Sequence, residues 1–174
     1  GYYRTLAEAG LAHVEFGTES LSDRVLKAYR KPFRCAHVFD AHAAALEAGL
    51  HVAHYFLLGG PGETSDTLAE TLDGVERLRR GVLFFFCGMR IYPQTELYEM
   101  ALRDGQVRED RSLVEPVFFK PAGMDGGETL KRVRERAGAR PNWVIGDGGE
   151  KSAAVVSRLH AHGHCGPLWE YLAR

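Results

Sequence analysis

Three short loops concentrate the residues able to bind a small polar ligand. The first, Gly17-Thr18-Glu19-Ser20, follows an apolar run and places a carboxylate where a strand gives way to a helix. Such a group accepts from ribose hydroxyls or from an ammonium. Glu19 in the first turn of a helix would equally be favoured by the helix dipole alone. The second loop, Gly59-Gly60-Pro61-Gly62-Glu63-Thr64, has glycines that let backbone amides approach a ligand closely. A phosphate-binding P-loop needs a lysine before its Ser or Thr, and none stands here. A plain Gly-Pro-Gly turn between strand and helix accounts for this loop when it is taken alone. The third, Arg90-Ile91-Tyr92-Pro93, offers a cation, an apolar side chain and an aromatic ring. Between the first two loops, Lys31 supplies a further cation, or a surface lysine ahead of Pro32.

Metal chemistry finds weaker support. His160, His162, His164 and Cys165 lie close in sequence, but on a helix ending at Gly163 the first two would point about 200° apart. Exposed histidines near a helix C-terminus are the expectation, and no metal ligand is assigned. His51 and His54, on a strand, face opposite sides. The basic stretch of Lys131, Arg132, Arg134, Arg136 and Arg140 lacks interleaved aromatics and reads as a solvated face.

The loops must be held by the elements between them. Residues 12–16, 51–58 and 82–87 are apolar strands, each followed by a loop and an amphipathic helix, the alternation that builds parallel α/β architecture. A capping box at Ser20 and Asp23 starts a helix near Leu21 that Pro32 ends. Val38, Phe39, Ala43 and Leu46 form one helical stripe, Leu68, Leu72, Val75 and Leu78 another, and Leu97, Tyr98, Ala101 and Leu102 a third closed by Gly105. Residues 1–105 thus form the α/β unit. Residues 106–127, interrupted by Pro116, Pro121 and Gly126-Gly127, are a linker or wrapping arm. Residues 128–174 are a small helical C-terminal extension containing a short apolar piece at 143–145. Three parallel βα units leave a sheet edge unpaired, and such edges are closed, covered or used for self-association.

Composition narrows the classes. The chain has 174 residues, 22 Lys+Arg against 23 Asp+Glu, and a formal charge of −1. No strong field draws it to nucleic acid, and no apolar run is long enough for membrane insertion. Three dispersed cysteines without a signal-peptide pattern fit a cytoplasmic protein better than a disulfide scaffold.

Taken in order, Glu15 to Ser20, Lys31, Leu57 to Thr64 and Arg90 to Thr95 resemble the later half of the radical S-adenosylmethionine (SAM) barrel over about residues 1–120. The likeness is nearest to enzymes with a cobalamin-binding domain and to the oxygen-independent coproporphyrinogen dehydrogenase type. It implies strands four to six of a partial TIM-type (βα)6 barrel, in a methyltransferase or oxidoreductase acting on an unidentified small molecule. It also implies a SAM site made by Glu19 and Ser20 at the ribose or amino acid, Lys31 at the carboxylate, and Leu57, Gly59, Gly60, Arg90, Ile91 and Tyr92 around the adenine. The family's Gly-x-Ile-x-Gly-x-x-Glu motif is matched loosely, because Pro61 adds a residue and the first glycine is missing. The Cys-x3-Cys-x2-Cys motif that holds a four-iron cluster is absent from the 174 residues. The expectation is that cluster ligands and any cobalamin domain lie upstream, and that this piece alone is inactive. Residues 166–171 resemble the end of cobalamin-linked members, where they would cap the barrel or shape a substrate pocket. Two other readings stay open: a non-catalytic α/β binding or assembly module, and a phosphate-binding piece of a (βα)8 barrel.

Overall fold

Each apolar run that ends in a glycine-bearing loop becomes a strand, and the strands share one sheet. A computed structural model describes residues 1–146 and 149–173, with side chains 149–153 left out. Helix α1 (Tyr2–Glu8) leads to β1 (His13–Glu19), and α2 (Asp23–Ala28) and α3 (Cys35–Glu47) lead to β2 (His51–Leu58). Next, α4 (Ser65–Gly74) passes through a 3-10 turn at Val75–Arg77 into β3 (Gly81–Cys87). After α5 (Glu96–Arg103) come α6 (Gly126–Ala137), β4 (Trp143–Ile145) and α7 (Gly149–Ala161), then a 3-10 turn at Trp169–Leu172. The strands run parallel in the order β1-β2-β3-β4, the arrangement of a partial α/β barrel.

The expected first loop at Gly17-Thr18-Glu19-Ser20 is instead strand as far as Glu19, and the structure differs from the sequence expectation at three further places. First, the capping box at Ser20 and Asp23 does not form. Ser20 turns inward with its hydroxyl 2.9 Å from Thr71 Oγ1, and Ser22 takes the N-cap position of α2. Second, α2 stops well before Pro32. Arg30 adopts a left-handed backbone (φ 56°), and the Lys31 N–H donates back to the Leu26 carbonyl at 2.9 Å. Third, the apolar piece expected inside a helical extension is a fourth strand. Leu83, Phe84 and Phe85 pair with Trp143, Val144 and Ile145. This satisfies backbone groups along the free side of β3, and the Trp143 ring packs on Phe85 at 4.9 Å.

The two sheet faces are differently filled. Phe56, Leu58, Leu83 and Phe85 point outward into the main core with Leu68, Leu72, Val133 and Trp143, which buries α4 and α6 against the sheet. Within that layer a polar chain runs from Thr18 Oγ1 to His54 Nδ1 (2.7 Å), from His54 Nε2 to His42 Nδ1 (2.9 Å), and from His42 Nε2 to the Arg79 carbonyl (3.1 Å). A carbonyl only accepts, so with both rings neutral each Nε2 donates and Thr18 donates to His54. Burial lowers the affinity of both rings for a second proton, that of His54 to about 3.

The opposite, inward face carries Ala53, Tyr55, Val82, Phe84 and Val144, against which Trp169 and Leu172 pack. The segment between α5 and α6 folds back on the third loop. Ile91 donates to the Val117 carbonyl and Phe119 to the Met89 carbonyl, both at 2.8 Å, and a second small core forms from Ile91, Ala101, Val107 and Phe119. Among the described residues, no helix is long and apolar enough to cross a membrane.

Candidate functional site

The carboxyl ends of β1, β2 and β3 bring their loops to one side of the molecule, as parallel sheets require. Strand β1 carries an irregularity between Phe16 and Glu19, so that three residues advance against two on β2. Glu19 itself adopts φ 64°, a left-handed conformation uncommon for a residue with a side chain. Its carboxylate accepts from Lys31 Nζ at 2.8 Å, and both side chains are partly buried. The left-handed Arg30 that ends α2 is what turns Lys31 back toward the strand.

This ion pair borders a cleft of about 280 Å³, near the small end for ligand sites. Leu57 lines it from the end of β2, Pro61 and Met89 from the loops after β2 and β3, and Ala28 and Tyr29 from the C-terminal end of α2. Glu96, Leu97 and Met100 of α5 form its far wall. Arg30 and Glu96 join the two rims at 2.7 Å. The lining is mainly apolar, with one carboxylate and one ammonium side by side.

The expected site residues divide accordingly. Glu19, Lys31 and Leu57 meet in this cleft. Ser20 is fully buried and spent on Thr71 and the Ser22 N–H. The Gly59 N–H donates to Glu63 Oε2 and the Gly60 N–H to Tyr29 Oη, so neither amide is free to bind a phosphate. Ile91 is wholly inside the second core. Arg90 lies over the Tyr92 ring at 4.8 Å, Tyr92 is 52% exposed, and neither residue is among those that line the cleft. From the third loop it is Met89 that reaches the site. Two participants were not singled out in the sequence, Tyr29 and Met89, and Glu63 stood there only as the acidic end of the loosely matched motif.

Glu63 acts beneath the loop. It is 2% exposed, and its Oε1 has no hydrogen-bond partner. Burial pushes its carboxyl up to about 7, against the opposing effect of the Gly59 N–H. Tyr29 completes the clasp by donating to the Leu57 carbonyl at 3.1 Å. Its phenol is held far above the usual value, first by burial and then by Glu63.

At the other end of the chain, His162 Nδ1 lies 2.8 Å from the Arg158 carbonyl, and His164 pairs with the Tyr171 hydroxyl at 2.8 Å. Among the described residues, no three His, Cys, Asp or Glu side chains converge as a metal site would require. The cysteines do not fit an iron–sulfur cluster either. Cys35 and Cys87 are half-buried on different elements and Cys165 is exposed.

Comparison with known proteins gives a consistent picture. Residues 1–75 match the model of the Radical SAM superfamily. A tRNA-2-methylthio-N(6)-dimethylallyladenosine synthase of Nocardia farcinica is 30% identical over 152 residues, which is 86% of this chain and 29% of that protein. Two solved structures share the fold. The radical S-adenosylmethionine methyltransferase TsrM of Kitasatospora setae, with cobalamin and a [4Fe-4S] cluster bound, aligns with a TM-score of 0.55 and 23% identity, over 71% of this chain and 24% of that one. Elp3 of the archaeon Methanocaldococcus infernus aligns with a TM-score of 0.58 and 15% identity, over 93% and 39%. The chain therefore spans less than a third of the curated relative's length.

Proposed function

From residues 1–75, which belong to the radical SAM superfamily, we propose that the Glu19–Lys31 cleft is one wall of a SAM site in an enzyme acting on a small molecule. The observation that carries this reading is the ammonium–carboxylate pair, 2.8 Å apart, beside the apolar Leu57. An α-amino acid is complementary to that pair. Its ammonium or the ribose hydroxyls suit Glu19, and its carboxylate suits Lys31. Leu57, Met89 and Met100 give the purine an apolar bed. In this superfamily SAM serves as the source of a carbon radical or of a methyl group. The residues of this chain bind and orient it, and the clasp of Glu63 and Tyr29 holds the Leu57–Gly60 backbone in place.

A four-iron cluster would take its ligands from outside the described residues. Cobalamin, which TsrM holds, comes to this protein through likeness of fold alone. Residues 1–105 would form the barrel part, residues 106–127 a wrapping arm, and the rest an extension that adds β4 to the sheet.

Equilibrium dialysis with S-adenosylhomocysteine tests the assignment, because it needs no cluster reduction. Glu19→Ala and Lys31→Ala should each weaken binding by about tenfold or more, the usual cost of one charge-assisted hydrogen bond. Unchanged affinity in both variants removes the cleft from the SAM site.

A further inference from the structure

The inward sheet face holds a second feature beside the cleft. Tyr55 and Phe84 are register partners on β2 and β3. Their rings stack with centroids 4.6 Å apart and planes 7° from parallel, and Phe86 continues the set at 6.2 Å and 2° from Tyr55. The ladder stops at β1. Opposite Tyr55 that strand offers Gly17 and Thr18, and Thr18 is turned through the sheet to His54. Gly17 therefore leaves a gap on the inward side. A side chain there would begin in open space, its nearest neighbour Glu19 Oε1 at 3.6 Å.

The rim of this gap is acidic. Glu15, one inward step back along β1, is exposed and accepts from Trp169 Nε1 at 2.8 Å. Burial first and the nearby Glu15 charge second make the Tyr55 phenol hold its proton more tightly. Glu19 stands on the opposite side, already paired with Lys31. The three ionised groups leave a net charge of −1 beside the electron-rich face of a tyrosine. Both attract a planar cation or an N–H-bearing ring.

We propose that the gap over Gly17, walled by the Tyr55 ring and rimmed by Glu15 and Glu19, binds a planar aromatic group bearing cationic or N–H donors, as the ring of the substrate. The assignment to substrate rests on reading the adjoining cleft as the SAM site. Leu57, the next inward residue after Tyr55 on β2, lines that cleft, so the two lie about 7 Å apart along the strand. A ring stacked on Tyr55 from the β1 side adds a further member to the set that Tyr55 already forms with Phe84 and Phe86, and meets carboxylate acceptors at its edges.

Saturation-transfer NMR on the full chain with three probes tests the proposal: benzamidine, cyclohexanecarboxamidine with the same charge on a puckered ring, and uncharged benzamide. Benzamidine should bind about three- to tenfold more tightly than either, as expected for one stacked ring and one charge interaction. Gly17→Val, which fills the gap at a backbone conformation open to any residue, and Tyr55→Leu, which removes the wall, should each abolish the preference. Equal affinity for all three probes overturns the proposal, as does selectivity unmoved by both variants. An oligomer in sedimentation whose interface excludes benzamidine also overturns it, since the face would then serve a second copy of the chain. S-Adenosylhomocysteine binding to the unaltered chain is measured separately. If it fails while benzamidine selectivity holds, only the SAM reading falls, and the reverse result sinks only the aromatic subsite.

Discussion

Glu63 shows how one side chain can matter through position rather than contact with a ligand. Its buried carboxyl has one oxygen on the Gly59 N–H and the other without a partner, and burial raises it from 4.5 to about 7. The folded state therefore holds this proton more tightly than the unfolded chain. The stability it contributes is complete below pH 4.5 and is lost as pH rises through 7, by roughly 3 kcal/mol in all. His54 acts in the opposite sense at lower pH. Its folded value near 3 lies below the unfolded 6.5, so its contribution is present above 6.5 and fades as pH falls toward 3. Urea midpoints measured from pH 5 to 8 separate the two. Glu63→Gln should remove the decline between pH 5 and 7, and a variant whose midpoint declines as steeply as the parent's would show that Glu63 titrates normally. The sequence exposed this residue only as part of a motif. A glutamate after Pro-Gly reads the same whether it faces a ligand or closes a loop from below, because burial is decided by residues far away in the chain, such as Tyr29, that pack beside it. The left-handed φ of Glu19 is hidden for a similar reason, since the type of a residue does not reveal a conformation imposed by the neighbouring strand.

At the level of elements, local signals were legible and distant pairings were not. Strand β2 spans the expected residues because its apolar run is bounded by Gly49 and Gly59, both with positive φ. Strand β4 has only three residues, and nothing in Trp143-Val144-Ile145 announces that β3, some sixty positions earlier, has a free side to pair with. The site was legible to the same degree. Glu19, Lys31 and Leu57 sit at the ends of elements that periodicity locates. Ile91 is buried instead because the segment between α5 and α6 returns to cover it, a contact without local signature. The loop after β2 is built on a similar close fit between distant residues. A Cβ at Gly60 would stand 2.4 Å from Tyr29 Oη and 2.6 Å from two carbons of its ring. That ring cannot swing away without giving up its bonds to Leu57 and Gly60. Gly60→Ala should thus cost about 1–3 kcal/mol of folding stability, the usual range for overpacking. In a Tyr29→Leu background, where the obstruction is gone, the same change should add much less, and that non-additivity distinguishes the clash from a general loss of chain flexibility. Equal costs in the two backgrounds would disprove it.

Over the whole molecule, the chain end decides which mouth of the partial barrel is open. Trp169 crosses to the inward face, packs on Ala53 and Val82 near the start of their strands, and donates to Glu15, 154 residues earlier. Its neighbour Glu170 lies 3.3 Å from His13, so the final turn is tied to the first strand as well as to the sheet centre. This plug covers the lower inward face and leaves the carboxyl ends of the strands, with the Glu19–Lys31 cleft, as the open side. Trp169→Ala removes a large buried ring together with the hydrogen bond and should cost about 3–5 kcal/mol. Trp169→Phe keeps most of the apolar contact and should cost about 1–2 kcal/mol, mainly for the lost donor to Glu15. If both variants instead unfolded at the parent's urea midpoint, the last turn would be an ornament on the sheet. The two-variant ratio also bears on the site, because Glu15 rims the gap over Gly17. Once freed from Trp169, its carboxylate gains an accepting position, so Trp169→Phe should bind benzamidine at least as tightly as the parent while being less stable.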